Sequence, residues 1–344
     1  MGRKPYRVEL YYAKGRPIYN LVKDVKVRGK RTKVRVYLGH DEPSAADVDR
    51  YRANFAYTIE ARAAEKKAEL SSTLYSSKYL TKDQIKTIET IHYYYKTFTD
   101  LLTRSEIDAY ETAFEISYVQ GTTSIEGNTL TPKQTYDLLV NGIPPNNKSM
   151  REINEVQNFR RVKTYREEYR GKVTIDFIKT LHSLIMNNID FDSAGVFRRI
   201  DVTIAGCELP VTPPPLIKEE LSKLIGDYYW ETDRGLHPFE AAVLFHYGFE
   251  MVHPFMDGNG RVGREIFNYM LKKCGYPRLL FLGKDREIYI RSLKLGNREK
   301  YAEMIEIFAD LITKQRYSLL MEKLEEIVSP PKDDHQLRLD AFYL

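Results

Sequence analysis

Hydrophobic and polar positions alternate strictly near the start of the chain. Val25, Val27, Val34, Val36 and Leu38 are interleaved with Lys26, Arg28, Lys33, Arg35 and Tyr37, the period of two expected of a half-buried sheet. Turn-like residues punctuate that pattern at Ala13-Lys14-Gly15-Arg16 and at Gly29-Lys30-Arg31-Thr32. Strands over 6–12, 17–22, 22–28 and 33–38 therefore read as a β-meander with one oily and one basic face. After Pro43 the spacing changes to that of an Ala-rich, charged helix through about Leu70, followed by the Ser-rich stretch 71–77, which reads as a joint. From Thr81 onward apolar residues recur at helical spacing, predicting helices over roughly 81–98, 104–120, 132–141, 150–169, 174–187, 216–231, 238–252, 260–274 and 299–327. Thr131-Pro132 places proline at a first helical position, where its missing N–H costs nothing. Between Phe197 and Pro215 the pattern is different. Ile200, Val202, Ile204, Leu209 and Val211 surround Gly206 and end at Pro213-Pro214-Pro215, which suggests a short hairpin.

Charge sharpens the first of these readings. The net charge of +5 is unevenly spread, because residues 1–40 hold twelve Lys and Arg against only Glu9 and Asp24. So basic a segment can meet an anionic partner such as nucleic acid, or serve as a solvated surface. Only Cys207 and Cys274 occur, without metal-ligand spacing, so neither a disulfide framework nor a zinc site is expected, and a reducing cytoplasm fits. The opening residues show no signal-peptide core, and no stretch approaches the ~18 apolar residues of a membrane span.

The stretch with most chemistry runs from His253 to Arg264, HPFMDGNGRVGR, between two helical patterns. A loop feeding a helix N-terminus offers unpaired N–H groups and a positive dipole end, and Gly258 and Gly260 allow phosphate close to that backbone. Arg261 and Arg264, three residues apart, share a helix face and suit a polyphosphate. Asp257 is placed to hold Mg²⁺ together with phosphate oxygens, and His253 can take the proton of a hydroxyl attacking phosphorus. Phe255 reads as an anchor in the core, while His182, His237 and His246 read as packing or surface residues. The embedded G-x-G-x-x-G at 258–263 lacks the preceding strand of a dinucleotide fold, and Arg264-Glu265 stands where a Walker A loop needs Lys and Ser/Thr.

Residues 253–264 match every specified position of the signature H-P-F-x-(D/E)-G-N-G-R-x-x-R, and in this the chain resembles the Fic family (filamentation induced by cyclic AMP). The resemblance implies a helical core and protein adenylyltransfer: AMP from ATP to a Tyr, Ser or Thr hydroxyl of a protein. His253 would be the base, Asp257 the Mg²⁺ ligand, and Gly258, Asn259 and Gly260 the cradle of the α- and β-phosphates. Arg261 and Arg264 would complete that site, Arg264 reaching the γ-phosphate. Phosphorylating relatives change the glycines and the last arginine, whereas both are intact here. Thr122 to Gly127, TTSIEG, fits the family's inhibitory motif (S/T)-x-x-x-E-(G/N), so that Glu126 would occupy Arg264 and inhibit in the same chain. Alone, this segment would read as a turn before the helix at 132. The hairpin resembles the family's flap, with Val202, Thr203, Ile204 and Ala205 as the edge that docks a target segment. Asn297 resembles an adenine-contacting asparagine, although the aromatic residue expected seven positions earlier is Ile290 here, beside Tyr289.

The resulting expectation is a mainly α protein: a Fic-type helical core with a short β-hairpin flap, preceded by a small β-meander. Residues 1–43 would form the basic β module, 44–80 a helical linker, 81–328 the Fic region and 329–344 a tail. A homodimer, self-modification on some of the 26 tyrosines, and removal of AMP by the same site follow as further expectations. From a different class, the chain could be a nucleic-acid or partner-binding protein whose Fic core senses ATP.

Overall fold

The computed structural model describes residues 6–203 and 210–328. The flap positions Ile204 and Ala205 and the tail 329–344 lie outside the described residues; Val202 and Thr203 lie inside and carry no regular structure. The elements are β1 (Arg7–Ala13), β2 (Arg16–Val27), β3 (Lys30–Gly39), α1 (Ala45–Asn54), α2 (Ala56–Ser72), α3 (Lys82–Leu101), α4 (Arg104–Ile125), α5 (Pro132–Tyr136), α6 (Met150–Gln157), α7 (Phe159–Glu168), α8 (Ile175–Ile185), α9 (Ile217–Asp233), α10 (Pro238–Val252), α11 (Asn259–Lys273), α12 (Arg286–Asn297) and α13 (Tyr301–Val328). The chain is therefore mainly helical with one small antiparallel sheet, ordered β1-β2-β3.

The two tight turns explain the sheet. Lys14-Gly15 and Arg28-Gly29 all have positive φ, the backbone that matches the twist of a two-residue hairpin. Residues 17–22 and 22–28, separate strands by pattern, are one continuous strand, β2, because its pairing with β1 (Arg16–Val22) overlaps its pairing with β3 (Tyr19–Val27). The second turn lies at Arg28-Gly29, one position ahead of the Gly29-to-Thr32 turn read from sequence, because Gly29 supplies the left-handed conformation there.

Two compact units emerge, and they do not follow chain order. The first collects the described parts of 1–75 with 81–107 and 312–328; the second collects 76–80 with the described parts of 108–311. In the first, Leu21, Val25, Val34 and Val36 from the inner sheet face pack with Ile59 and Ala63 of α2. The segment 44–80, read as a connector from composition, thus places α2 on the sheet.

Helix starts follow local chemistry. Ser44, Thr81, Thr131 and Ser149 each accept from the third residue of their helix while that residue's side chain bonds back, a reciprocal cap. The single helix expected over 150–169 is two, α6 and α7, meeting at Asn158. The Asn158 side chain donates to the carbonyls of Ile185 (2.8 Å), the last residue of α8, and of Asn187 (2.7 Å) just after it. The helix expected to end near 120 continues to Ile125, and α12 has no counterpart among the helices expected from the pattern.

In the second unit α11 is buried on nearly every side, although it carries Arg261, Arg264, Glu265 and Asn268. Each of these side chains meets at least one partner. Arg166 of α7 bridges Glu265 (2.7 Å) and Glu115 of α4 (2.6 Å), and Arg278 joins Glu115 (2.7 Å) to Glu111 (2.9 Å). Burial alone would raise the Glu115 carboxyl, but Arg166 and Arg278 hold it down at about 2. This network fixes α4 against α7 and α11. Removing one partner of such a buried pair leaves an uncompensated charge, so Arg166→Ala is expected to lower unfolding stability by about 3–5 kcal/mol. Urea unfolding followed by circular dichroism measures this; a loss under about 1 kcal/mol would mean the network does not hold α4.

Candidate active site

The signature forms the turn between α10 and α11. His253 caps α10 in a left-handed conformation (φ 47°), which ends the helix and turns the chain into the loop. Gly258, at φ 78°, caps the start of α11. The first turn of α11 consequently directs its N–H groups out of the helix at the residues expected to cradle phosphate, Asn259 and Gly260. The Asn259 side chain is already engaged elsewhere. Its Oδ1 accepts from Phe255 N (2.9 Å) and its Nδ2 donates to Phe255 O (2.8 Å), which closes the loop on itself. Any phosphate contact from Asn259 would have to come from its backbone.

Further residues, not singled out by sequence, brace the loop. His182 stacks on Phe255 with centroids 3.7 Å apart and planes 4° from parallel. Its Nδ1 accepts from Gly195 N–H (2.8 Å), which leaves the proton on Nε2 to donate to the Asp257 carbonyl (3.0 Å). Burial lowers its pKa to about 4, so the ring is neutral at ordinary pH. His182 thus belongs to the site, whereas its sequence context reads as packing or surface. Arg198 is a second brace: its Nε donates to the His253 carbonyl (2.8 Å), its Nη1 to Ile200 O (3.0 Å), and its own N–H to Pro254 O (3.0 Å). Phe255 is fully buried, in keeping with its expected place as a core anchor.

The two signature arginines are buried and hold different anions. Arg261 lies between Asp257 (3.2 Å) and Glu155 of α6 (3.4 Å). Arg264, 1% exposed, meets Glu126: Nη2 donates to Glu126 Oε1 at 2.7 Å. The same guanidinium donates through Nε to Thr122 Oγ1 (2.8 Å) and through Nη2 to Thr122 O (2.9 Å), and it lies 5.5 Å from the centroid of the Tyr289 ring. Gly260 leaves room for this pair, since a Cβ on it would meet the Glu126 carboxylate and displace it. The glutamate and the arginine singled out 138 positions apart are therefore in contact.

Asp257 accepts from Gly258 N–H (2.6 Å) and from Arg151 of α6. Burial acts to raise its pKa, but Arg261, Gly258 N–H and Arg151 together keep it below the usual carboxylate value. Among the described residues no three His, Cys, Asp or Glu side chains form a metal cage. A single ionised carboxylate at a helix N-terminus fits a magnesium ion that takes its other ligands from phosphate and water. His253 is largely buried, which lowers its pKa, with the Glu250 carbonyl opposing. Glu250 itself is buried and pushed up to about 8, and the carboxyl oxygen against Gly263 has no hydrogen-bond partner.

Asn297 stands apart from this cluster. It ends α12 and accepts from Tyr247 OH at 3.3 Å. Tyr289, on the same helix, points inward and bonds to His246 (3.0 Å), while Ile290 lines a cleft of about 490 Å³ with Arg286, Arg291 and Lys294. No described helix is long and apolar enough to cross a membrane.

Comparison with known proteins agrees with this geometry. Residues 172–271 match the family model described as Fic/DOC family. The chain is 30% identical over 218 residues to a protein adenylyltransferase Fic of Drosophila erecta, covering 62% of this chain and 42% of that one. It is 33% identical over 186 residues to protein adenylyltransferase fic-1 of Caenorhabditis briggsae, covering 52% and 36%. The chain thus spans about two fifths of the length of these curated relatives. Among solved structures, Fic-1 from C. elegans superposes with a TM-score of 0.62 at 25% identity, over 78% of this chain and 82% of that one. A Fic domain containing signaling protein from Bacteroides thetaiotaomicron, at 23% identity and TM-score 0.59, shares the fold over 72% and 100%. Residues 172–271 thus match the Fic/DOC family, and the fold that carries the signature loop and its buried arginines is similar to that of these Fic proteins.

Proposed function

We propose that this protein is an adenylyltransferase that moves AMP from ATP to a Tyr, Ser or Thr hydroxyl of a protein, and that Glu126 inhibits it. The observation that carries the reading is the 2.7 Å contact of Glu126 with Arg264 at the start of α11. In the reaction the target oxygen forms a bond to the α-phosphorus, the bond to the β-phosphate oxygen breaks, and pyrophosphate leaves with that electron pair. His253 takes the hydroxyl proton, which requires a neutral imidazole, the form its burial favours. The N–H groups at Asn259 and Gly260, with the buried Arg261 and Arg264, bind the phosphates as fixed donors. Magnesium held by Asp257 would supply charge neutralisation on the phosphates. Val202 to Ala205 serve as the edge for the target segment, and Asn297 contacts the base.

Two further expectations belong to the reading. Homodimer formation draws support from the exposed Val140, Ile143 and Met150, large apolar side chains that a second copy can cover. Self-modification draws on the many tyrosines, and cytoplasmic residence on the pair of cysteines without disulfide spacing.

Glu126→Gly is expected to raise label incorporation from α-labelled ATP about tenfold or more, because Arg264 then keeps only neutral partners and is free for the γ-phosphate. Removal of AMP from modified target should fall in the same variant. A variant no faster than the parent in transfer would falsify inhibition by Glu126. In the Glu126→Gly background, His253→Ala should slow transfer by ~10²–10⁴ while leaving ATP affinity by calorimetry unchanged. The pH profile provides its sign. Transfer needs unprotonated His253, burial lowers its pKa, and so the acid limb should lie below the ordinary ~6.5 with no further rise between pH 7 and 7.5. A half-maximal rate at or above pH 7 would exclude His253 as the titrating base. Asp257→Ala should abolish the magnesium-dependent gain in ATP affinity seen in binding titrations, and an unchanged titration would remove Asp257 from the metal site.

A further inference from the structure

The first compact unit carries a surface that nucleotide transfer does not use. β1 pairs with β2 only from Arg7↔Val22 to Ala13↔Arg16, whereas β2 and β3 stay paired as far as Val27↔Lys30. Residues 23–27 and 30–34 thus form a two-stranded ribbon extending past β1, closed by the tight turn at Arg28-Gly29. Its inner face, Val25 and Val34, is buried against α2. Its outer face and tip are exposed and carry Lys26, Lys30, Arg31 and, further along β3, Arg35.

The charge pattern is the informative part. Lys26 and Arg31 stand directly opposite each other in register, an arrangement of like charges that costs cross-strand stability. Among the described residues, the acids of the sheet pair with other cations. Glu9 pairs with Arg7 and Lys33, and Asp24 with Arg7. Arg28 donates to Tyr75 OH at 3.0 Å and stacks over that ring. Lys26, Lys30, Arg31 and Arg35 form no ion pair with a described residue. Three such cations on the ribbon with Arg35 beside it, two of them facing, make a charge pattern that suits an external polyanion.

We propose that the outer face of the β2–β3 ribbon binds double-stranded DNA, entering the major groove with its tip. Paired strands lie about 4.8 Å apart, so the ribbon and its side chains fit a groove about 12 Å wide. The deep, narrow major groove of A-form RNA would not admit it. Lys26, Lys30 and Arg31 contact phosphates, and the affinity is therefore strongly salt-dependent.

The test uses the full chain and a labelled, mixed-sequence duplex of roughly 25 bp in anisotropy titrations at several salt concentrations. The parent should bind, with affinity falling steeply as salt rises. Lys26→Glu/Lys30→Glu/Arg31→Glu should weaken binding at least tenfold and reduce the log–log salt slope by about 3. Lys218→Glu/Lys223→Glu, exposed cations on α9, should bind as the parent does, and circular dichroism shows whether each variant is folded. The proposal is overturned if the parent fails to bind at low salt, if the triple variant is folded and binds equally well, or if single-stranded RNA or polyglutamate of equal charge competes as well as duplex DNA. None of these outcomes depends on whether the chain transfers AMP.

Discussion

The burial of one guanidinium governs the second unit. Arg264 is fully buried, and a permanently charged group removed from water must be surrounded by anions and acceptors. Thr122 supplies two oxygens, Glu126 a carboxylate and Tyr289 a ring face. Thr122 comes from the last turns of α4, and so α4 must lie along α11. The Arg166–Glu115–Arg278 network secures that packing from the middle of the helix. Tyr289 in turn requires α12 and is held by His246, whose ring burial drives to about 3 and so keeps neutral. A single buried charge near the start of α11 thus ties two other helices, α4 and α12, to it.

The loop before α11 is constrained just as heavily, by neutral contacts. Asn259 closes it internally, His182 supports Phe255 and the Asp257 carbonyl, and Arg198 holds the carbonyl of His253. These bonds fix the backbone at both ends of the segment, so that on the proposed reading the His253 imidazole is positioned for proton transfer. Preorganisation of this kind allows a phosphate to bind without further ordering of the loop. It also explains why a non-glycine residue is retained at positive φ at position 253, where the neighbouring contacts offset the strain.

What is legible in the sequence are features set by local rules. The sheet alternation at 25–38, the caps at Ser149 and Thr131, and the histidine, glycines and arginines of 253–264 depend on spacing within a few residues. The pairing of Glu126 with Arg264 is reached only through family resemblance, since no local pattern links residues so far apart. Residues that act by position escape altogether. His182 and Arg198 sit among ordinary helix and loop residues, and their roles arise from stacking and carbonyl contacts that exist only in the folded chain. The π-type turn at Asp137–Asn141 and the break at Asn158 escape for a related reason, because tertiary hydrogen bonds override a continuous helical pattern. α12 is hidden because residues 286–297 mix charged and apolar positions beside a short non-helical stretch, diluting the period.

The position of Glu126 makes its contact with Arg264 both firm and reversible. It follows the final residue of α4, where Gly127 at φ 100° reverses the chain and the N–H groups of residues 126–128 bond back to Thr123 and Ser124. A helix C-terminus is the negative end of the dipole, so an acid placed there is disfavoured by about 0.3–1 kcal/mol. Glu126 is therefore not stabilised by its own helix, and Arg264 provides the compensation. Its carboxylate is 37% exposed while the arginine is 1% exposed, so only one partner can leave for water without a large desolvation penalty. The arginine stays in place, bonded to Thr122, and awaits whichever anion arrives. On the proposed reading, the γ-phosphate of ATP carries more charge than a carboxylate and competes for that same guanidinium, so inhibition is an exchange of anions at a fixed cation and requires no rearrangement of α11.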